Sequence, residues 1–497
     1  MQRQWLVLGI IILAYVPVAI DATVLHVAAP SLSVALQATG SELLWIIDIY
    51  SLVMAGMVLP MGALGDRIGF RRLMLSGAVI FGLGSLAAAY APDAGLLIAA
   101  RALLAVGAAM ILPATLAGIR TTFNDAGQRN VALGIWAAIG SGGAAFGPLV
   151  GGVVMTHFSW GAVFLINIPI VALVLLLTWR WVPRQAFRSQ QKLNLPQAIM
   201  LVVAILGLVW AVKSAMKPDI KAMQTLAALV PALLLLVWFV RIQLRSPSPM
   251  IDIALFRHRV ILTGVVMAVT SMVALVGFEL LMAQELQFVH GRTPLQAALF
   301  MLPVMLASSC SGPLAGMLVS RLGLRRVATA GMALSGLSFL GLANADFQHQ
   351  QWLVWSWMVL LGISATVALL SATSAIMSAT PKEKAAAAGA IETMAYELGA
   401  GLGIALFGLV LARSYSAVIA LPLGLTADEQ LRAASSIGEA VQVAAGLESG
   451  RGLAVMEAAS QAFTHSHSVV LFSACVILLA LAAVVWFALS AQRCESN

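Results

Sequence analysis

Solid blocks of about twenty apolar residues, separated by short polar connections, recur along the chain from Trp5 almost to its end. An α-helix rising about 1.5 Å per residue needs a block of that length to cross the hydrocarbon core of a bilayer. The pattern predicts spans over residues 5–28, 43–64, 73–90, 96–118, 131–154, 161–181, 195–213, 223–241, 259–286, 295–319, 327–344, 352–375, 386–412 and 468–490. The blocks are continuous, which excludes the two-residue alternation of an outer-membrane barrel strand. The expected fold class is an all-α polytopic membrane protein with fourteen transmembrane helices. The first block begins at Trp5 with only Arg3 before it, and no small-residue cleavage site follows a short core. It therefore reads as a retained span and not as a signal peptide.

Composition agrees. Of 497 residues 61% are hydrophobic and 10% charged, where a soluble domain carries about 25% charged residues. The net charge of +8 could suggest a nucleic-acid partner, but the 28 Lys and Arg sit in the short connections between apolar blocks, so the partner implied is the lipid bilayer and no nucleic acid. Twenty of these cations fall on the side that holds both termini, including Arg67, Arg71, Arg72, Arg120, Arg129, Arg184, Arg188, Lys192, Lys382 and Lys384. Seven (Lys213, Lys217, Lys221, Arg292, Arg413, Arg432 and Arg451) fall on the other side, and Arg101 lies inside a span. The positive-inside rule then puts both termini in the cytoplasm. Cys310, Cys475 and Cys494 form no spaced pair for a metal or redox motif.

An internal repeat supports the count. Residues 62–72 (Gly-Ala-Leu-Gly-Asp-Arg-Ile-Gly-Phe-Arg-Arg) align without gaps to residues 316–326 (Gly-Met-Leu-Val-Ser-Arg-Leu-Gly-Leu-Arg-Arg), with six of eleven positions identical. The copies follow the second and the tenth span, so a six-span bundle over 1–181 and another over 259–490 would flank two additional helices and their linkers over 182–258, with a cytoplasmic tail at 491–497. Repeated bundles joined in this way are the architecture of transporters that work around a central site. One hydrophilic insert, 414–467, lies on the external side. It carries Thr426-Ala-Asp-Glu429, which fits a capping box, followed by Leu431, Ala434, Ile437, Ala440, Val441 and Ala444 at helical spacing. Short amphipathic helices are expected there, either covering the outer mouth or as a tolerated insertion.

Charged side chains inside a membrane span are costly and by default mark a functional site. They are Asp21 in span 1, Asp48 in span 2, Arg101 in span 4, Glu279 and Glu285 in span 9, and Glu392 and Glu397 in span 13. Counting along the helices puts Asp21, Asp48 and Arg101 at similar depth in the outer half, so a cluster of the three is allowed. A buried Arg favours the ionised form of a nearby carboxylate while desolvation opposes it, a competition suited to loading and releasing a proton. A static pair that holds spans together is the other reading of Arg101. Asp48 and Glu285 lie nearer span ends, where a solvated carboxylate is an equal reading. Five residues advance a helix by about 500°, which sets Glu392 and Glu397 about 140° apart, whereas Glu392 shares a face with Tyr396, whose ring could help hold a cation.

Span 5 contains Gly140-Ser-Gly142-Gly143-Ala-Ala-Phe-Gly147-Pro148-Leu-Val-Gly151-Gly152. Small residues let helices approach closely and proline bends a span. No Lys-Ser or Lys-Thr follows and no strand precedes it, so it is not a phosphate loop. No ATP-binding motif occurs elsewhere, which favours an ion gradient as the energy source and implies no cofactor and no metal. His26, His157, His290, His349, His465 and His467 fall near span ends or in external connections without metal-ligand spacing and are expected to be solvated or interfacial.

Together these residues closely resemble the major facilitator superfamily, in particular its fourteen-helix drug:proton antiporter group. Residues 62–72 resemble the family's motif A, which implies that Gly62, Asp66, Arg67, Gly69, Arg71 and Arg72 form a conformational latch. Ser320 stands where the second copy would carry the acid. Arg101 with Gly107 resembles motif B, which implicates the Arg in proton coupling. Gly143, Gly147, Pro148, Gly151 and Gly152 match motif C, associated with antiporters. Asp21-Ala-Thr23-Val-Leu-His26-Val-Ala-Ala-Pro30 resembles the motif of helix 1 in this group, with His26 where Asn is usual. Span 13 is similar too, placing Glu392 and Glu397 where related pumps carry acids for dicationic drugs.

The resemblance implies two six-helix bundles with two inserted helices, working as a monomeric efflux antiporter of the inner membrane and not as an enzyme. Its partners would be protons and small lipophilic cations: quaternary ammonium compounds, methyl viologen, cationic dyes and biocides. The residues implied for proton coupling or substrate binding are Asp21, Asp48, Arg101, Glu279, Glu392, Tyr396 and Glu397. A proton-coupled uptake symporter and a polytopic enzyme or sensor are the rival readings; motif C argues against the first and the lack of a catalytic constellation against the second.

Overall fold

A chain placed in lipid must satisfy its backbone N–H and C=O groups internally, and continuous helix is how one segment does so. The computed structural model describes residues 2–183, 195–214, 222–246, 249–347, 349–380 and 385–489. The expected cations Arg184, Arg188, Lys192, Lys217, Lys221, Lys382, Lys384 and Arg493, and the tail 491–497 with Cys494, lie outside the described residues. The helices are α1 (Gln2–Ala35), α2 (Gly40–Ile68), α3 (Phe70–Ala89), α4 (Ala94–Thr122), α5 (Ala126–His157), α6 (Ala162–Leu165) and α7 (Asn167–Trp181). There follow α8 (Leu195–Ser214), α9 (Ala222–Arg245), α10 (Arg259–Gln284), α11 (Pro294–Cys310), α12 (Gly312–Leu322) and α13 (Leu324–Ala343). The last five are α14 (Gln351–Ser378), α15 (Ala385–Val418), α16 (Ala427–Ser435), α17 (Ile437–Ala445) and α18 (Ser449–Ala488). Among the described residues 12 helices are long and apolar enough to cross a membrane, or 13 if α11 and α12, bent by 47°, count as one span.

Several starts are written in side chains. Asp93 accepts from the Leu96 N–H at 2.8 Å to cap α4, and Thr293 closes a capping box with Gln296 ahead of Pro294 at the head of α11. Gly312-Pro313 follows the break between α11 and α12, where a proline cannot continue the preceding hydrogen-bond ladder.

By contacts the chain divides into two units. One comprises 1–28 and 45–252, the other 29–44 and 253–497. Within the first, α3 packs on α4 and α7, and α8 on α9. Within the second, α13 packs on α14 and α18, and α10 on α14 and α15.

The sequence repeat is a structural repeat. Helices α3 and α13 both run 20 residues and both start after a glycine with positive φ, Gly69 at 87° and Gly323 at 83°. Residues with a Cβ resist that conformation. The second residue of each helix does the same work: Arg71 donates to the carbonyls of Thr178 and Trp179 at 3.4 and 2.8 Å, and Arg325 donates to that of Trp486 at 2.8 Å. Each guanidinium thus meets backbone carbonyls near the C-terminal end of a later helix of its own unit, α7 in the first and α18 in the second, where a cation is favoured. Gly77 and Gly331, also equivalent, each press against backbone of the next helix, the first against the Gly107 carbonyl and the second against the Ala368 N–H.

The insert differs from its expected form in two ways. Thr426 and Glu429 do make both arms of the capping box, and the same hydrogen bonds, first from the Thr426 backbone, hold the Glu429 carboxyl below its usual pKa. The periodicity, however, breaks at Ser436, which is extended and starts a new helix by accepting from the Glu439 N–H. The buried face is therefore Ala433, Ile437, Ala440 and Val443, while Leu431 is exposed and Ala434, Val441 and Ala444 are half-buried. The last helix also begins at Ser449, well ahead of the expected 468, and runs 40 residues without a break. Helix α17 holds the turn between α1 and α2: Glu439 accepts from the Gly40 N–H at 3.2 Å and Gln442 donates to the Ser33 carbonyl at 3.2 Å.

Candidate functional site

Asp21 lies on α1 with about 1% of its surface exposed. A bare carboxylate there would be prohibitive, and the compensation is Arg101 of α4, itself buried, whose Nη1 donates to Asp21 Oδ2. Arg101 is held from two other directions, by the Ile46 carbonyl at 3.3 Å from Nε and by the face of Tyr50 at 4.5 Å. Asp21 Oδ1 is enclosed and has no hydrogen-bond partner. The carboxylate therefore keeps one oxygen able to take a proton while the other stays on the guanidinium.

The glycine stretch of α5 is the wall beside this pair. A Cβ on Gly143 would lie 2.6 Å from Ala19 Cβ, one on Gly147 2.2 Å from Thr23 Oγ1 and 2.9 Å from the Ile20 carbonyl, and one on Gly151 2.8 Å from Val24 Cγ2. Positions four apart share a helix face, so these three make one seam along the stretch of α1 that carries Asp21. Pro148 and Gly152 are buried in the same helix. In the other unit Gly399 and Gly403 of α15 press against the backbone of Val269 and Val273 in α10. Gly147→Ala should lower the thermal midpoint in detergent, because overpacking costs about 1–3 kcal/mol, and should lower transport with it. Gly142→Ala, where nothing lies within 4 Å, should leave both unchanged; equal effects at the two positions would remove the seam as the explanation.

The expected cluster of Asp21, Asp48 and Arg101 forms only in part. Asp48 is fully buried, but its partner is Lys213, whose Nζ lies 2.5 Å from Oδ2 and 4.1 Å from the Trp45 ring centre. Lys213 was expected as the last residue of the span 195–213, with its charge counted on the external side. Helix α8 ends at Ser214, and the ammonium in its last turn is buried at 6% exposure and not solvated. Nearby, Val202 of the same helix fills the gap over Gly56 of α2, so this first additional helix is docked on α2 by a close backbone approach and a buried ion pair.

On α15, Tyr396 donates to Glu392 Oε1 at 2.9 Å, and the Thr373 hydroxyl lies 2.7 Å from the Tyr396 hydroxyl and donates to the same carboxylate oxygen. The shared face expected for Glu392 and Tyr396 is thus occupied by a hydrogen-bonded triad. Glu397 and, on α10, Glu279 are half-buried. In the stretch 62–72, Asp66 and Arg67 are exposed and Arg120 is the cation whose charge acts on Asp66. Ser320, equivalent to Asp66, turns back to the Met317 carbonyl at 2.8 Å.

The histidine reading needs correction. His157, His349 and His465 are exposed, but His26 and His467 are buried at 1% and 2%. Glu285, given an equal chance of being solvated, is wholly enclosed. His467 sits where α18 has already become part of the bundle, ahead of the apolar run that marked its span, and the only sequence signal for it is the helical spacing upstream of that run.

Comparison with known proteins agrees with this architecture. The family model for the Major Facilitator Superfamily matches residues 11–404. The methyl viologen resistance protein SmvA of Salmonella typhimurium is 65% identical over 494 residues, covering 99% of this chain and 100% of that one. The multidrug efflux pump LfrA of Mycolicibacterium smegmatis is 36% identical over 489 residues, covering 97% and 96%. A solved bacterial homologue of the human lysosomal transporter Spinster, inward-facing and unoccupied, has a TM-score of 0.69 at 16% identity and covers 98% and 97%, which speaks to the fold alone. A multi-pass helical chain with a repeated loop, helix and arginine pattern, matched over most of its length by the family model, belongs to the Major Facilitator Superfamily.

Proposed function

We propose that this chain is a drug efflux antiporter of the bacterial inner membrane, expelling lipophilic cations such as quaternary ammonium compounds, methyl viologen, cationic dyes and biocides in exchange for inward-moving protons. The observation that carries the reading is the enclosed Asp21, paired with Arg101 through one oxygen and unpartnered at the other, set against the glycine seam of α5. The names of the relatives support the substrate side, since one is a methyl viologen resistance protein and another a multidrug efflux pump. In this reading a cation from the cytoplasm meets ionised carboxylates, and protons from outside neutralise them and release it. Asp21 with Glu392 or Glu397 makes that exchange, Arg101 modulates the proton step, and the stretch 62–72 latches the cytoplasmic side. The fourteen-span count, with α5 as a span and α11 and α12 as one bent span, belongs to the same proposal. So do the cytoplasmic termini, the bundles at 1–181 and 259–490, a monomeric state and a proton gradient in place of any cofactor.

The test is proton movement in inside-out vesicles energised to an acidic lumen. Methyl viologen or a quaternary ammonium compound should release protons only when the protein is present. Absence of release from vesicles that contain folded protein would overturn the coupling, and accumulation of a nutrient in cells would replace export by uptake.

A further inference from the structure

Glu285 stands outside the machinery described so far, and the structure gathers an unusual set of groups around it. It begins a π-helical turn, Glu285–Val289, that ends α10. Such turns are rare and recur at functional sites. Three side chains face the carboxylate. Thr464 of α18 donates to Oε1 at 3.0 Å, His290 Nε2 lies 3.5 Å from Oε1, and His467 Nδ1 lies 3.1 Å from Oε2. The His467 ring is stacked on Phe347 at 5.4 Å and has Phe463 at 6.5 Å. Its other nitrogen, Nε2, is buried and has no hydrogen-bond partner.

A carboxylate at Nδ1 favours the tautomer with its proton there, which leaves Nε2 as a base. A buried polar atom without a partner costs stability, and its presence calls for an explanation. Thr464 is exposed and His290 is 11% exposed, so the cluster has a wet rim beside its dry imidazole.

The other charged groups on the neighbouring elements are engaged or lie elsewhere. Arg292 stacks on Phe300 at 4.2 Å, Glu439 of α17 accepts from the Gly40 N–H, and Asp346 pairs with His349 at 2.8 Å. His465 and Glu457 lie on α18, Glu279 is six residues back on α10, and Glu392 and Glu397 belong to α15. Helices α11 and α14 carry no ionisable acid, histidine, lysine or arginine.

We propose that His467, oriented by Glu285, is a proton-accepting site at the outer end of this unit that loads external protons for the exchange. Hydronium gives its proton to Nε2 and leaves as water. An N–H bond forms there, and the ring charge is either held by the Glu285 carboxylate or neutralised when the Nδ1 proton crosses to Oε2, so the pair gains one proton and one positive charge in all. The gain is felt at the junction of the π-helical turn with α18, which can then repack.

This site deepens the antiport reading and rests on it, so two readouts are needed. The first is the nitrogen-15 spectrum of histidine-labelled protein in nanodiscs, with the His467 signal assigned by its loss in His467→Gln. It should change from neutral to cationic imidazole as the pH is lowered. A His467 that holds one charge state throughout would overturn the proposal, whatever the transport result. The second is drug-driven proton flux in proteoliposomes as the pH on the face of the Val289 end is varied. The wild-type rate should change about tenfold from pH 5 to 8, and His467→Gln should flatten that to less than about twofold. Glu285→Gln should move the midpoint of that profile toward acid, as loss of a nearby opposite charge does. Thr464→Val, which deletes one hydrogen bond and spares the fold, should displace it less. A wild-type pH profile in all three folded variants would overturn the proposal. No drug-dependent proton flux in wild-type protein with a titrating His467 would instead sink the antiport reading and, with it, the loading role.

Discussion

Asp21→Asn is expected to abolish drug export, lowering resistance to quaternary ammonium compounds and methyl viologen at least about tenfold, while the folded protein still accumulates in the membrane. The asymmetry between the two oxygens makes this a sharp substitution. Asparagine has nearly the shape of aspartate, and its amide oxygen can still accept from Arg101 Nη1, so the guanidinium keeps a partner and the enclosure around α1 and α4 persists. What is lost is the negative charge and the capacity of Oδ1 to bind a proton. Removing the carbonyl as well, in Asp21→Ala, should cost more stability than Asn does, because the buried guanidinium then loses its acceptor as well as its counter-charge. Drug resistance in cells, protein abundance in membranes and melting of the purified protein separate the effects. Unchanged resistance in the folded Asn variant would remove Asp21 from the exchange and leave its pair with Arg101 a static tie.

The pairing of Asp21 with Arg101 could be read from the sequence because helix geometry is regular: a residue's distance into an apolar run fixes its position along the helix, and opposite charges at equivalent positions in neighbouring apolar helices have little choice but to meet. The repeat was legible for a related reason. Gly69 and Gly323 are demanded by a positive φ, and Arg71 and Arg325 by helix ends that need donors. The identities therefore recur wherever the local geometry recurs. Asp48, Lys213, Glu285 and His467 were harder to place. Apolar runs mark where a helix enters lipid and say little about what its ends pack against, so Lys213 reads as a cation on the external side and His467 as part of the insert. Lys213 closes its helix and His467 lies in a helix that begins well ahead of its apolar run, and only tertiary packing shows which carboxylate each one finds. The insert failed in its details because one extended residue, Ser436, resets the helical phase, and a serine that starts a helix has the same appearance in sequence as one that decorates its surface.

Lys213→Met should sharply lower abundance and thermal midpoint, and Asp48→Asn combined with Lys213→Met should restore both together with most export. The pair is fully enclosed, with 2.5 Å between Nζ and Oδ2, and lies where α8 meets α2. Deleting the ammonium alone strands the carboxylate, at a cost of about 3–5 kcal/mol for a buried pair broken on one side. Replacing both charges by uncharged groups of similar volume removes the desolvation cost as well as the attraction, and such replacements are often neutral or stabilising. Asp48→Lys with Lys213→Asp offers a second route, since it keeps one charge of each sign in the same enclosure. The coupling energy from the cycle of single and double variants, read by thermal melting, measures the tie directly. Recovery of stability together with export would make Asp48 the anchor of the first additional helix and leave proton exchange to Asp21 and the acids of α15. Recovery of stability without export would show instead that Asp48 takes part in the exchange, and that α8 supplies, through Lys213, a counter-charge that the transport cycle needs.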